Sequence, residues 1–284
     1  MKQFKQSLFT FILLFLFNSS FADVSSLTLA DSLAKEILEN EGLYTVMGGL
    51  KPMSTVMQFG FEIDTVTQEY LDEIKVNRKL NELNNAIGLL ENDIIGFAIL
   101  PFKAVHGDKR IFQINVYHKQ SVRDLIVAKS SFFLKRGILP EMLFSQIITM
   151  VEFGDSSERF RAYGYLFGYP DHAVDFFVEA SESYKNTKEF VERDFFQIPV
   201  PSKVDGHFVY AVPKGYEPQE IDLGIRELAG KLLDSYLEFK SSKGFNEGKY
   251  AFLDLYLEMR QPENQVLYIE LGGKKEPIYP FNQM

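Results

Sequence analysis

The chain has 284 residues, 46% hydrophobic and 24% charged, with no cysteine, no tryptophan and a formal charge of −9. So apolar a composition, with only 19 Gly and 11 Pro, excludes a disordered or collagen-like chain. The lack of cysteine excludes a disulfide scaffold, thiolate zinc or iron–sulfur centres and a cysteine nucleophile. An acidic pI near 5.1 argues against a nucleic-acid partner and against docking on anionic lipid, since both require a basic surface.

At the N-terminus Lys2 and Lys5 precede an uncharged apolar run, Leu8 to Phe17, and Ser20-Phe21-Ala22 puts small residues at the −3 and −1 positions before Asp23. This is the pattern of a secretory signal peptide over residues 1–22, cut after Ala22. A membrane span needs about 20 apolar residues, roughly twice that run, so no stable membrane insertion is expected after cleavage. The expected destination is the bacterial periplasm or the outside medium. Loss of Lys2 and Lys5 takes the formal charge from −9 to −11. The remainder, residues 23–284, reads as a single globular domain.

Thr28 to Asn40 sets Leu29, Leu33, Ile37 and Leu38 on one stripe, with Gly42 as a stop, which predicts an amphipathic helix. Leu43 to Ile63, interrupted by Gly48, Gly49, Pro52 and Gly60, reads as a loop or short strands. Thr65 or Thr67 is placed to cap a helix reaching about Leu90. The β-branched and aromatic runs Asp93 to Phe102 and Arg110 to His118 flank Val105-His106-Gly107-Asp108, which predicts an antiparallel hairpin.

Further helices are predicted from Ser121 to about Arg136, from Pro140 to Phe153, from Ser156 or Ser157 to the Gly168-Tyr169-Pro170 turn, and from Pro170-Asp171 to about Tyr184. Thr187 to Phe196 reads as a helical continuation, and His207 to Val212 as a strand. Pro218 to Lys240 lines up Ile221, Ile225, Leu228, Leu232 and Leu233 on one side of a helix. Tyr250–Leu257 and Val266–Leu271 are later apolar runs, the second strand-like. The expected class is α+β: an α-rich single domain with a small antiparallel β-sheet. The proline-rich stretch 199–218 is the one place for a lobe boundary.

Two stretches stand out chemically. In Tyr163 to Glu179, a helix beginning at Pro170 would put His172, Asp175 and Glu179 in one narrow arc, an imidazole beside carboxylates suited to acid–base or metal chemistry. The competing reading makes Asp175 and Glu179 the wet face of that helix. No second histidine stands at ligand spacing, so no metal is assigned. Tyr169 belongs to an aromatic wall with Tyr163 and Tyr165, either ligand-facing or packed.

The second stretch is Gly48-Gly49-Leu50-Lys51-Pro52-Met53-Ser54, where glycines allow close backbone approach and Lys51 with Ser54 could hold an anion. The residue order is wrong for a phosphate-binding P-loop. An ordinary loop packed by Leu50 and Met53 is the competing reading. Ser32-Leu33-Ala34-Lys35 shares the Ser-x-x-Lys spacing of penicillin-recognising serine enzymes, but the companion motifs are absent.

Adjacent aromatics at Phe132-Phe133, Phe176-Phe177 and Phe195-Phe196 cannot share one face. They read as helices packed on two sides, with an exposed partner-binding patch as the alternative. With no catalytic motif, the expectation is an exported periplasmic binding or accessory protein without catalytic activity or cofactor, acting on a protein partner or small ligand. The alternative is a periplasmic hydrolase built around His172, Asp175 and Glu179, with Tyr169 or Lys51 touching substrate.

Overall fold

The computed structural model describes residues 24–260, with the backbone alone over 203–207. The expected signal peptide and the strand-like run Val266–Leu271 lie outside the described residues. In chain order the elements are α1 (Val24–Glu39), a short α2 (Leu43–Val46), β1 (Met53–Glu62), α3 (Glu73–Leu90), β2 (Ile95–His106), β3 (Lys109–His118), α4 (Lys119–Ala128) and the single turn α5 (Ser130–Phe133). After a 3₁₀ turn follow α6 (Phe144–Phe153), α7 (Ser156–Leu166), α8 (Asp171–Thr187), β4 (Arg193–Val200), β5 (Lys203–Pro213), α9 (Glu220–Ser242) and α10 (Ala251–Met259). The expected α+β class holds: helices surround two small antiparallel sheets, ordered β1-β3-β2 and β4-β5. Among the described residues no helix is long and apolar enough to cross a membrane.

The three-stranded sheet divides the interior because strand side chains alternate. Ile114 and Val116 of β3 enter a core built with Leu33, Ile37 and Leu38 of α1, Leu83 and Leu90 of α3, and Phe252 and Tyr256 of α10. The opposite face, with Ala98 and Leu100 of β2 and Tyr117 of β3, packs on Leu125 of α4, Ile147 and Ile148 of α6 and Leu166 of α7. Polar bonds tie the first layer across the chain. The Asp31 carboxylate on α1 accepts the Leu253 N–H in the first turn of α10 at 2.9 Å. The Tyr256 hydroxyl and the Arg260 guanidinium donate to the Leu90 carbonyl at the end of α3.

The β4-β5 hairpin is part of the first core, not a separate lobe. Phe196, Ile198, Phe208 and Val212 lie against Tyr44 of α2 and the Ile225, Ala229, Leu232 and Tyr236 stripe of α9.

Several local expectations are corrected. Leu43 to Ile63 contains a ten-residue strand, because Gly60 is a site of close approach and not a breaker. A Cβ there would lie 2.9 Å from Cδ1 of Ile111 on the paired strand. α3 starts at Glu73, not after Thr65 or Thr67: Asp72 accepts the Lys75 N–H at 2.8 Å, while Asp64 binds the Val66 and Thr67 N–H groups into a turn. The helix expected from Ser121 is instead capped by His118, whose Nδ1 accepts the Ser121 N–H at 3.1 Å. α6 begins at Phe144, later than Pro140. The helical continuation over Thr187 to Phe196 is wrong as well. Lys188 turns left-handed at φ 63° and ends α8, and β4 begins at Arg193.

Candidate functional site

A cavity of about 540 Å³ opens between the three-stranded sheet, helices α6 to α8 and the β4-β5 hairpin. Its walls are mainly aromatic: Phe102 from β2, Phe160, Tyr163 and Phe167 from α7 and its end, Phe177 from α8, and Phe195 and Tyr210 from the hairpin. Phe160 and Phe177 meet edge to face at 5.5 Å. Phe177 and Phe195 are 37% and 57% exposed, so both reach solvent as well as the cavity.

Local backbone chemistry shapes this space. Strand β2 leaves its ladder with β3 between Pro101 and Val105. The freed groups are held from both sides: the Lys103 N–H donates to Oε1 of Glu152 at 2.8 Å, and Arg110 Nη1 donates to the Phe102 and Lys103 carbonyls at 3.3 and 3.2 Å. That bulge presents Phe102, Ala104 and His106 to the cavity. On the helical side Gly164 lets α8 approach α7, since a Cβ there would lie 2.8 Å from Val174 Cγ2.

One wall is polar. The Glu152 side chain is 6% exposed and that of Arg159 20%. Glu152 Oε2 accepts the Tyr163 hydroxyl at 2.7 Å, and Oε1 lies 3.6 Å from Nη1 of Arg159, which also donates to the Glu152 carbonyl at 3.3 Å. Burial first, then the Glu152 bond, raise the Tyr163 hydroxyl far above its ordinary range, so it remains a donor.

Lys51 lies behind another wall and is fully buried. Its ammonium pairs with Glu41 and sits 4.2, 5.4 and 5.5 Å from the rings of Phe208, Tyr169 and Phe167. Burial lowers its pKa, opposed by the Glu41 charge and hydrogen bond. Ser54 bonds Thr45 at 2.8 Å and the Glu41 carbonyl at 3.2 Å. The structure therefore brings Lys51 and Ser54 together around Glu41, facing inward, where the ammonium meets a carboxylate of the chain itself. Tyr169 is the link to the cavity, forming part of its wall and also facing Lys51. Gly168, at φ 77°, lies against the Leu50 carbonyl and Pro52, so the two chemically distinctive stretches of the sequence abut.

His172, Asp175 and Glu179 do not converge. Nε2 of His172 is 3.0 Å from the Tyr216 hydroxyl and 3.2 Å from Oδ1 of Asp222. Asp175 pairs with Arg161, and Glu179 is exposed. Asp222 is fully buried and accepts from the Tyr210 hydroxyl, the Tyr216 hydroxyl at 2.5 Å and the Gln219 N–H at 2.8 Å. Its position in the first turn of α9 adds the favourable end of the helix dipole. Burial and the Asp222 bond push the Tyr216 hydroxyl up to about 12. The imidazole–carboxylate contact has the form of an acid–base couple, yet His172 is not in the cavity wall, which ends at Tyr210. Among the described residues no group of three or more His, Asp or Glu is placed to hold a metal ion.

Comparison of the chain with protein-family models, curated proteins and solved structures finds no match. The site therefore stands on its geometry. Sequence reasoning missed Glu152, Arg159 and Phe160, which come from two helices and acquire meaning only when β2 bulges toward them. A signal for Phe177 and Phe195 was present in the paired aromatics. One member of the hairpin pair, Phe196, is buried in the core while its neighbour Phe195 turns to the cavity.

Proposed function

We propose that the protein is an exported, periplasmic binding protein without catalytic activity, and that it holds a small, largely apolar ligand in the aromatic cavity. The observation that carries this reading is the cavity itself. Its volume of about 540 Å³ falls within the roughly 300–1,000 Å³ range of small-molecule sites, and such sites combine apolar walls with a few fixed polar groups. Exposed Phe177 and Phe195 at its edge fit an entrance for an apolar molecule. The hydrolase reading built around His172, Asp175 and Glu179 lacks comparable support, because the three have separate partners and none is in the cavity wall.

The test is a fluorescence titration with N-phenyl-1-naphthylamine, a neutral apolar probe that brightens on leaving water. Saturable enhancement with one probe per chain is expected. Ala104→Trp, which fills the cavity from an exposed strand position, should abolish it. No enhancement, or an undiminished one in the variant, would refute the reading. Export rests on Lys2, Lys5, the apolar run and Ala22. N-terminal sequencing of protein recovered from the periplasmic fraction should begin at Asp23, and an intact N-terminus would contradict export by cleavage.

A further inference from the structure

Building on the reading of the cavity as a ligand site, we propose that its ligand is an anionic amphiphile: an apolar chain or ring system ending in a carboxylate, with the carboxylate on Arg159. Arg159 is the one Lys or Arg in the cavity wall among the described residues. Its partners there leave half of the guanidinium unused. Nη1 serves the Glu152 carbonyl and carboxylate, and the Phe160 ring lies 5.6 Å from Cζ, while Nε and Nη2 have no hydrogen-bond partner among the described residues. Those two nitrogens form one edge of a planar fork, the geometry that binds a carboxylate through two parallel hydrogen bonds.

The neighbouring carboxylate does not cancel this preference. Both oxygens of Glu152 are occupied, by the Lys103 N–H and the Tyr163 hydroxyl, and its side chain is 6% exposed against 20% for Arg159. A ligand head therefore meets the guanidinium and not the acid. On its far side Arg159 borders a second recess together with Lys135 and Arg136. Arg136 is matched by Glu158, which lines that recess too, so Lys135 is its one cation without an ion-pair partner among the described residues. The remaining wall, with Phe102, Phe160, Phe167, Phe177 and Phe195, offers rings and no counter-charge, which suits the apolar part of the same molecule.

The experiment is displacement of N-phenyl-1-naphthylamine from the wild-type protein at pH 8 by dodecanoate and dodecyltrimethylammonium below their micellar concentrations and by dodecanol below its solubility limit. Dodecanoate is expected to bind at least about tenfold tighter than dodecanol, the effect of one charge-assisted bidentate contact. Arg159→Gln should remove that advantage, bringing dodecanoate and dodecanol within about twofold of each other. Arg159→Lys should restore only part of it, because an ammonium keeps the charge without the fork. If dodecanol binds as well as dodecanoate to the wild type, or the ammonium amphiphile binds best, the head-group assignment is wrong while the cavity reading survives. If none of the three displaces the probe, or the probe does not bind, the cavity reading fails with it. The wild-type series decides the matter even where Arg159→Gln does not fold.

Discussion

At the residue scale, the buried polar groups mostly hold the fold together. Lys51 places an ammonium among three rings with a single carboxylate partner, and Asp222 collects three donors around one buried carboxylate. His118 is the group whose titration stability should report. Its Nδ1 caps α4, and burial pushes the imidazole down to about 4, with Asp124 acting in the opposite direction. Gly49 presses on this ring: at φ 64° a Cβ would lie 2.9 Å from His118 Cγ.

Because the folded pKa of His118 is depressed, the unfolded chain binds a proton between about pH 6.5 and 4 that the folded chain does not. Stability should therefore be unaffected by this group above pH 6.5 and should fall as pH drops through that window, by up to about 3 kcal/mol. Urea unfolding between pH 4.5 and 7 checks this. His118→Asn, which keeps a capping acceptor and removes the titration, should show a shallower pH dependence than wild type. Equal slopes would remove His118 from the account.

At the scale of elements, amphipathic periodicity was sufficient for the helices that lie on a core. α1 and α9 bury the stripes their spacing indicates, Leu33, Ile37 and Leu38 in one and Ile225 and Leu232 in the other. Reading failed where a partner far along the chain decides the conformation. Gly60 breaks a pattern in isolation but fits beneath Ile111 in β1, and Phe195 and Phe196 continue a helix on paper but pair with Ala211 and Tyr210. The misplaced helix starts have local causes, since Asp72 and His118 are the side chains that accept the Lys75 and Ser121 N–H groups. At α10 the partner is distant: the Leu253 N–H donates to Asp31 on the first helix. Asp31→Ala should leave that N–H without its partner and cost about 1 kcal/mol. A melting point lower by a few degrees is expected, with Asp31→Asn retaining most of the stability. An unchanged melting point for Asp31→Ala would mean that the α1–α10 bond contributes nothing.

At the scale of the whole molecule, the cavity exists because three units meet around it: a bulged β2, the α7–α8 pair brought close by Gly164, and a hairpin whose inner face belongs to the main core. None of these is a local property, which is why His172, Asp175 and Glu179 drew attention in the sequence while Glu152 and Arg159 did not. The candidate residues Tyr169, Lys51 and His172 lie on or behind the cavity's inner wall, and Tyr169 and Tyr210 separate the cavity from the two buried charge clusters. The central claim is that this space, and not the outer surface, receives the ligand.

The most direct measurement is a methyl-resolved NMR titration of protein labelled at alanine and valine with dodecanoate. Ala104, Ala173, Val174, Val209 and Ala211 line the cavity, and their methyl signals should shift together and saturate. Val24 and Val127, exposed outside the cavity wall, should stay in place. Shifts confined to such surface positions, or none at any ligand concentration below the micellar limit, would contradict the account.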